Sequence, residues 1–301
     1  MSLTMSKQAW GLLFTLSAMW GASFLFIEMA LLSMGPITLV FFRVLIGAAT
    51  LGLVLLVTNK HIPTNFAFWR DSFVMGFLNN AIPFTFIAYG QVSITGGMAS
   101  IINANTAFFG VMAAAIFLVN ERLTFTRLCG VIIGVSGVVI VMGPAELLTL
   151  DVTSLGQLAV ILATLSYALA SVWGRLRLQG YDSTITAFGM TSCATVMLAI
   201  IMLMTDGIPS FEITARLWIV AIGLGVIGTA LAYMVYFKLL ALAGASNLML
   251  VTIIVPIFAV SLDAVILSQW VSVTDLLGFV VIAVGLLIMD GRLSGLFYRK
   301  T

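Results

Sequence analysis

The stretch ITLVFFRVLIGAATLGLVLLVT, residues 37–58, carries a single charged side chain, Arg43. A hydrocarbon core about 30 Å thick is crossed by roughly 20 helical residues, so this stretch is long and apolar enough to span a bilayer as a helix. A strand of a membrane barrel would instead alternate apolar and polar residues over about ten positions. The stretch therefore predicts a transmembrane helix.

Comparable apolar segments recur along the whole chain. They lie at 10–32, 37–58, 72–92, 98–119, 128–143, 155–176, 183–204, 217–239, 246–267 and 275–290. Of the 301 residues, 62% are hydrophobic and only 8% charged, whereas about a quarter of the residues of a soluble domain are charged. We therefore predict an all-α integral membrane protein with ten transmembrane helices, which excludes a water-soluble enzyme.

The charges and cysteines suggest neither a nucleic-acid surface nor a metal site. The net charge is +2, and the basic residues are scattered rather than clustered. Cys129 and Cys193 lie inside apolar segments without a CxxC or Cys/His spacing. We accordingly predict no metal, no cofactor and no nucleic-acid partner, and expect membrane lipid and a small molecule as the partners.

The basic residues predict an orientation when successive connectors are assigned to alternating sides of the membrane. One side collects Lys7, Lys60, Arg70, Arg122, Arg127, Arg175, Arg177, Lys238, Arg292, Arg299 and Lys300. The other side has Arg216 beside Glu146, Asp151, Asp206, Glu212 and Asp275. Because cytoplasmic connectors are enriched in Lys and Arg, we expect both termini on the cytoplasmic side of the plasma (inner) membrane.

The chain also repeats itself. The stretch ERLTFTRLCG, residues 121–130, lies 148 residues before QWVSVTDLLG, residues 269–278, and Tyr89 lies 147 residues before Tyr236. We interpret residues 1–146 and 147–301 as two five-helix repeats. Because five is odd, the second repeat enters the membrane from the opposite side. Such an inverted repeat is typical of secondary transporters that alternate access to a site between the two halves.

The order and spacing of several motifs resemble the drug/metabolite transporter superfamily, and within it the EamA-type carriers. The motifs are Trp20-Gly21, Phe41-Phe-Arg43, Asn120-Glu-Arg-Leu-Thr124 followed by Gly130 and Gly137, and Pro256 thirteen residues before Gln269. The chain departs from the family pattern at two positions. Gln269 replaces a glutamate, and Gly189 stands where an arginine matching Arg43 is expected. The resemblance implies a transporter, commonly an exporter of amino acids or other small metabolites.

Three ionisable residues lie well inside predicted spans: Glu28, Arg43 and Asp263. Ionisable side chains are costly in a bilayer, so they are functional candidates by default. The connector between the first two helices is short, which favours an ion pair between Glu28 and Arg43, and gating or substrate contact are the alternatives. Asp263 could join this group or reach interfacial water.

Uncharged polar and aromatic side chains supply the candidate substrate site. The candidates are Trp20, Asn79, Asn80, Pro83, Tyr89, Asn103, Ser166, Tyr167, Trp173, Tyr233, Thr252 and Pro256. Prolines free backbone carbonyl groups and asparagines provide donors and acceptors, so a wet cavity lined by them can hold a zwitterion. The alternative is that these groups hydrogen-bond between helices or pack at the interface.

Glycines on the fifth and tenth predicted helices form small-residue faces. Gly130, Gly134 and Gly137 lie on one helix and Gly278 and Gly285 on the other. Small residues let helices approach closely, so we predict tight helix packing here. A monomer is sufficient for this architecture, and a dimer through such a face is an alternative.

The combined prediction is a secondary transporter that exports small organic metabolites, with amino acids first, including large apolar or aromatic ones. Efflux of cationic drugs is the alternative within transport, and a channel or receptor is the alternative outside it. An intramembrane serine enzyme is disfavoured, because the single histidine, His61, lies in a connector beside Pro63 and a nucleophilic serine needs a positioned base. We therefore expect no enzymatic activity.

Overall fold

A computed structural model describes residues 5–119, 121, 123–143, 152–208 and 214–291, and their regular structure is helical. Within these residues, eight helices are long and apolar enough to cross a membrane: α1 (Lys7–Leu31), α2 (Pro36–Val57), α3 (Phe66–Gly90), α4 (Gly96–Phe117), α5 (Phe125–Met142), α6 (Val152–Leu178), α7 (Ser183–Thr205) and α8 (Leu217–Ala245). Two shorter apolar helices follow, α9 (Val251–Leu267) and α10 (Val273–Met289). Each overlaps one predicted segment, and the all-helical prediction is confirmed.

Part of the predicted orientation lies outside the described residues. This applies to both chain ends, to Arg122, and to the acidic connector residues Glu146, Asp151 and Glu212. Asn120 of the family motif also lies outside them. The many apolar helices indicate a multi-pass membrane protein. The side on which the termini lie stays a prediction.

Helix starts are set by polar caps that hydropathy does not detect. The predicted third segment begins at residue 72, whereas α3 begins at Phe66, because the Asn65 side chain accepts a 2.8 Å hydrogen bond from the Phe68 amide. Thr95 caps α4 by accepting from the Met98 amide at 3.2 Å. Such caps satisfy amides in the first turn that lack an intrahelical partner.

Several of the described helices depart from regular α-helical geometry. π-helical turns occupy Phe77–Ala81 in α3, Gly174–Leu178 in α6, Gly223–Leu231 in α8 and Asp263–Leu267 in α9. α4 breaks between Asn103 and Thr106. A π turn shifts the backbone hydrogen-bonding pattern and is frequent at functional sites.

Glycines bring α5 and α10 into close contact, as the sequence predicts. A Cβ atom built on Gly130 would lie 2.7 Å from the carbonyl oxygen of Gly285, and one on Gly137 would lie 2.8 Å from that of Gly278. Both distances are shorter than side chains tolerate. The two contacts therefore require glycine, and each joins the early part of one helix to the late part of the other.

Contacts between helices repeat across the two halves with the partners exchanged. α1 packs against α9 and α8, and α6 packs against α4 and α3. α2 and α7 pack against each other, and they also contact α8 and α3, respectively. The interior therefore lies where helices of the first half meet helices of the second.

Candidate substrate site

A pair of asparagines in the π turn of α3 meets a tyrosine of α8. Asn79 Nδ2 and Asn80 Nδ2 donate to the Tyr233 hydroxyl at 3.1 and 2.9 Å. Asn80 is fully buried, and its Oδ1 atom has no hydrogen-bond partner among the described residues. A buried amide oxygen without a donor is costly, so this position favours a ligand or water that supplies one.

Arg43 of α2 is buried beside this pair, with 6% of its surface exposed. Its Nε atom donates to Thr229 Oγ1 at 3.1 Å, and its Nη2 atom donates to the Gly228 carbonyl at 3.4 Å. The guanidinium carbon lies 3.7 Å from the centre of the Phe84 ring. These contacts engage two of the five N–H donors that a guanidinium offers.

No carboxylate neutralises Arg43 in the part of the chain that the structure describes. The ion pairs found there involve Lys60, Arg70, Arg127 and Arg175 instead. A buried charge without a partner is expensive. The site is therefore suited to a negatively charged group that enters from outside.

A third helix completes the surroundings of Arg43. The guanidinium interacts electrostatically with the hydroxyl groups of Tyr167, on α6, and Tyr233. The neighbouring Ser166 donates to the Leu78 carbonyl, in the π turn of α3, at 2.7 Å. We call Arg43, Asn79, Asn80, Tyr167, Thr229 and Tyr233 the central cluster.

Two other predicted residues adjoin the central cluster. The rings of Trp20 and Tyr236 lie 5.8 Å apart, and Tyr236 follows Tyr233 by about one helical turn on α8. Pro83 is buried directly after the π turn of α3. The structure thus brings together candidates from α1, α2, α3, α6 and α8.

The remaining predicted residues lie elsewhere. Tyr89, at the end of α3, is 47% exposed. Trp173 Nε1 donates to the Asp71 carbonyl at 3.0 Å, near the beginning of α3. Thr252 donates to the Met249 carbonyl at 2.6 Å, and Pro256 lies inside α9. Within the described residues none of them is hydrogen-bonded to the central cluster.

Asn103 lies at the break in α4, and its Oδ1 atom is buried without a partner among the described residues. The Oδ1 atom of Asn105, two residues later, is in the same state. At the break, therefore, two amide oxygens lie in the interior, and neither accepts a hydrogen bond from another helix among the described residues.

The predicted ion pair between Glu28 and Arg43 is wrong. Glu28 accepts from the Gly96 amide at 2.8 Å and from Gln269 Nε2 at 2.6 Å, whereas Arg43 points to the π turn of α8. The Gly96 amide, which lacks an intrahelical partner at the start of α4, and the Gln269 side chain hold the carboxylate in place of the arginine. Asp263 joins Glu28, as one predicted alternative had it, by accepting from the Gly97 amide at 2.5 Å.

A second polar cluster lies just beyond the other end of α4. Glu121 accepts from Arg175 Nη1 at 3.0 Å and from Arg127 Nη1 at 3.1 Å. These hydrogen bonds hold the pKa of the Glu121 carboxyl below its usual range. We call this group the Glu121 latch, and Glu28, Asp263, Gln269 and the amides of Gly96 and Gly97 the Glu28 latch.

The two latches occupy equivalent positions in the halves of the chain. Arg175 follows Glu28 by 147 residues, and Gln269 follows Glu121 by 148 residues. The bond between Gln269 and Glu28 therefore corresponds to the ion pair between Glu121 and Arg175, at the opposite end of α4.

The model of the EamA-like transporter family matches residues 9–143 and, a second time, residues 154–289. The chain belongs to the EamA-like transporter family. It is 23% identical over 274 residues to the uncharacterized transporter YoaV of Bacillus subtilis, which covers 90% of this chain and 93% of the relative. An uncharacterized transporter of Archaeoglobus fulgidus is 25% identical over 275 residues, covering 90% and 94%.

Two further likenesses span nearly the whole chain. Protein PagO of Salmonella typhimurium is 24% identical over 290 residues, which covers 94% of this chain and 93% of that protein. A solved crystal structure superposes with a TM-score of 0.69 at 17% identity, covering 96% of this chain and 99% of the other. The last likeness concerns the fold alone.

Several contact residues in this EamA-family chain escaped the sequence reasoning. Thr229 and Gly228 sit in an apolar stretch with no visible motif, so no sequence signal points to them. Arg175 could have been found, because the repeat offset of 147 residues leads to it from Glu28. The offset of 148 residues likewise leads from Glu121 to Gln269. Gln269 therefore belongs to a latch, whereas the sequence comparison identified it only as the replacement of a glutamate.

A separate apolar groove of about 530 Å³ runs along the surface between α2 and α7. Its lining is Leu45, Ala48, Ala49, Gly52, Leu53, Leu56, Phe188, Ser192 and Thr195. None of the predicted site residues lines it. Phe188, which lines the groove, also packs against the buried hydrophobic group that includes Tyr233.

Proposed function

We propose that this EamA-family protein is a secondary transporter with ten transmembrane helices arranged as two inverted five-helix repeats, residues 1–146 and 147–301. The two family matches, at 9–143 and 154–289, support this division. The exchanged helix contacts and the reciprocal glycine contacts of α5 and α10 support a two-fold relation between the halves. Inverted repeats of this kind place the substrate between the halves.

The substrate that the site suits best is a small molecule with a carboxylate. The buried, uncompensated guanidinium of Arg43 carries this proposal. Arginine binds carboxylates through parallel charge-assisted hydrogen bonds. Three N–H donors of Arg43 have no partner among the described residues, which is enough for such a contact.

Within that class we favour amino acids, including large apolar and aromatic ones. The unpaired Oδ1 atom of Asn80 can accept from an ammonium group. Phe84, Tyr167 and Tyr233 give the surroundings of Arg43 an aromatic character suited to an apolar side chain. Efflux of cationic drugs fits less well, because the buried positive charge of Arg43 would repel them.

Alternating access would open one latch while the other stays closed. The Glu28 latch joins α1, α4 and α9 at one end of α4, and the Glu121 latch joins the segment after α4 to the start of α5 and the last turn of α6 at its other end. Breaking one set of polar contacts at a time would expose the central cluster to one side only. Rocking of inverted halves about a fixed site is the usual form of such motion.

The protein would act in the plasma (inner) membrane with both termini cytoplasmic, exporting its substrate. The distribution of basic residues supports this orientation. A single copy contains both halves and both latches, so a monomer suffices.

Uptake into proteoliposomes tests the proposal. Purified protein is assayed with labelled leucine, phenylalanine and glutamate, and with one cationic dye, each against protein-free liposomes. We expect saturable uptake of at least one amino acid, accelerated by the same unlabelled compound inside the vesicle. Uptake of the dye alone would overturn the substrate class, and flux that never saturates would indicate a channel.

A further inference from the structure

The Glu28 latch contains more hydrogen-bond acceptors than donors. Each of its nitrogen atoms already donates one hydrogen bond: the amides of Gly96 and Gly97 to the two carboxylates, and Gln269 Nε2 to Glu28. The adjoining Gln91 donates to the Phe24 carbonyl at 2.9 Å. Three oxygens have no partner in the described part of the chain: Asp263 Oδ1, Gln91 Oε1 and Gln269 Oε1.

Two of the side chains with unpaired oxygens are almost completely enclosed. Asp263 is 2% exposed and Gln91 is 5% exposed. Both stand against the start of α4, because a Cβ atom on Gly96 would lie 3.1 Å from Gln91 Nε2 and 3.2 Å from Asp263 Oδ2. Buried acceptors need a donor or a cation, and these oxygens have neither among the described residues.

The charges around Asp263 have one sign. α9 carries no other charged residue, and α4 carries none. Glu28 on α1 interacts with Asp263 electrostatically, and the neighbouring amides that bind the two carboxylates belong to consecutive residues. On α10 the charged residue is Asp275, whose carboxylate accepts from the Ser272 amide. Lys7 lies at the opposite end of α1.

We propose that the Glu28 latch is a proton-binding site, with the proton carried on the unpaired oxygen of Asp263. A buried carboxylate without a cation is neutralised most cheaply by taking up a proton, especially beside a second carboxylate. The step forms one O–H bond, removes one negative charge, and turns one of three surplus acceptors into a donor. It needs no added space, whereas a metal cation needs a larger set of ligands, and the described residues contain no group of three or more His, Cys, Asp or Glu side chains that could hold one.

Protonation would also loosen the latch. Hydrogen bonds from amides to an ionised carboxylate are roughly twice as strong as those to a neutral group. A neutral Asp263 therefore holds the start of α4 less firmly against α9. Coupling of this event to transport rests on the proposed function, whereas the proton site does not.

Infrared difference spectroscopy on purified, reconstituted protein without substrate tests the site. We expect acidification to produce the carbonyl band of a buried protonated carboxyl in the wild type. Asp263→Asn should remove the band, and Glu28→Gln should keep it while changing the pH at which it appears. Asp182→Asn, which alters an exposed carboxylate paired with Lys60, is the matched control and should leave the band unchanged.

Two results would overturn the proposal. One is that neither the wild type nor Glu28→Gln shows a band that disappears when Asp263 is replaced. The other is a band that sodium chloride, but not choline chloride, suppresses, because this would identify a sodium site. If Asp263→Asn does not fold, the pH at which the band appears in Glu28→Gln tests the assignment. A band that appears at the same pH in Glu28→Gln and in the wild type refutes it.

Coupling is measured separately, as amino-acid uptake with and without an imposed pH gradient. We expect the gradient to accelerate uptake severalfold in the wild type and not in Asp263→Asn. Equal acceleration in both proteins would refute coupling through this site. A band that behaves as expected in a protein without any uptake would refute the proposed transport function and leave the proton site standing.

Discussion

Gln269 donates a 2.6 Å hydrogen bond to Glu28, at the position where the other half of the chain has the ion pair of Glu121 with Arg175. The two contacts close opposite ends of α4 with different chemistry. One joins a carboxylate to a neutral amide, and the other joins a carboxylate to a guanidinium. The two halves therefore have contacts at equivalent positions, but the strength of these two contacts depends differently on the charge of the carboxylate.

The Glu121 latch predicts coupled effects of two substitutions. Glu121→Gln and Arg175→Gln should each lower transport several-fold, and the double variant should be no worse than the more impaired single variant, because both remove one interaction. Both side chains are partly exposed, so the loss in unfolding free energy should stay within about 1 kcal/mol. Initial uptake rates and thermal unfolding of all four proteins measure this.

The exposed ion pair of Lys60 with Asp182 provides the control for that cycle. Lys60→Gln and Asp182→Asn remove a similar interaction away from both latches, so they should leave uptake unchanged. Additive losses in the Glu121 and Arg175 variants would show that these residues do not act as one contact.

The pH dependence of stability should reveal the same latch. Hydrogen bonds from Arg127 and Arg175 hold the pKa of Glu121 below its usual range. A lowered pKa means that the carboxylate stabilises the fold above the ordinary glutamate pKa of about 4.3, and that this contribution is lost as the pH falls through the folded-state value. The unfolding temperature of the wild type should thus fall more steeply on acidification than that of Glu121→Gln. Parallel curves would contradict this assignment.

The Tyr233 hydroxyl is the shared acceptor of Asn79 and Asn80, so its removal should be costly. Tyr233→Phe leaves the buried Asn80 amide and the half-buried Asn79 amide without that acceptor, which should lower the unfolding free energy by about 1–3 kcal/mol and reduce uptake. Tyr181→Phe, in the connector before α7, is the matched control and should behave as the wild type. Equal stability and uptake in Tyr233→Phe would remove this tyrosine from the site.

The close glycine contacts between α5 and α10 predict that two glycine-to-alanine substitutions differ in their effect on stability. Gly285→Ala places a Cβ atom 2.7 Å from the Gly130 carbonyl oxygen, so overpacking should lower the unfolding free energy by about 1–3 kcal/mol. A Cβ atom on Gly110 has nothing within 4 Å, and Gly110→Ala should be neutral or slightly stabilising. Thermal unfolding in detergent compares the two. Similar behaviour would show that α5 and α10 are not in close contact.

The apolar segments and the glycine faces could be predicted from sequence because they depend on local composition and spacing. One partner of Glu28, Gln269, is reached through the repeat offset. The other, the Gly96 amide, could not be predicted, because every residue except proline possesses such a group. The position of Arg43 likewise depends on the π turn of α8, where Gly228 and Thr229 present a carbonyl and a hydroxyl. The repeat also gave one wrong expectation about environment. Tyr89 and Tyr236 are equivalent by the repeat offset, but Tyr236 faces Trp20 whereas Tyr89 is exposed.

Arg43 tests the account most directly, in counterflow experiments with an amino acid and its carboxamide, which lacks the carboxylate. We expect the wild type to exchange the amino acid and to discriminate against the carboxamide. Arg43→Gln should lose about 10-fold or more of the amino-acid exchange, as expected for a charge-assisted bond of about 1.5–3 kcal/mol. Arg70→Gln, at an arginine half exposed beside Asp71, should exchange normally. Equal exchange of both compounds, unchanged in Arg43→Gln, would contradict a carboxylate site at this arginine.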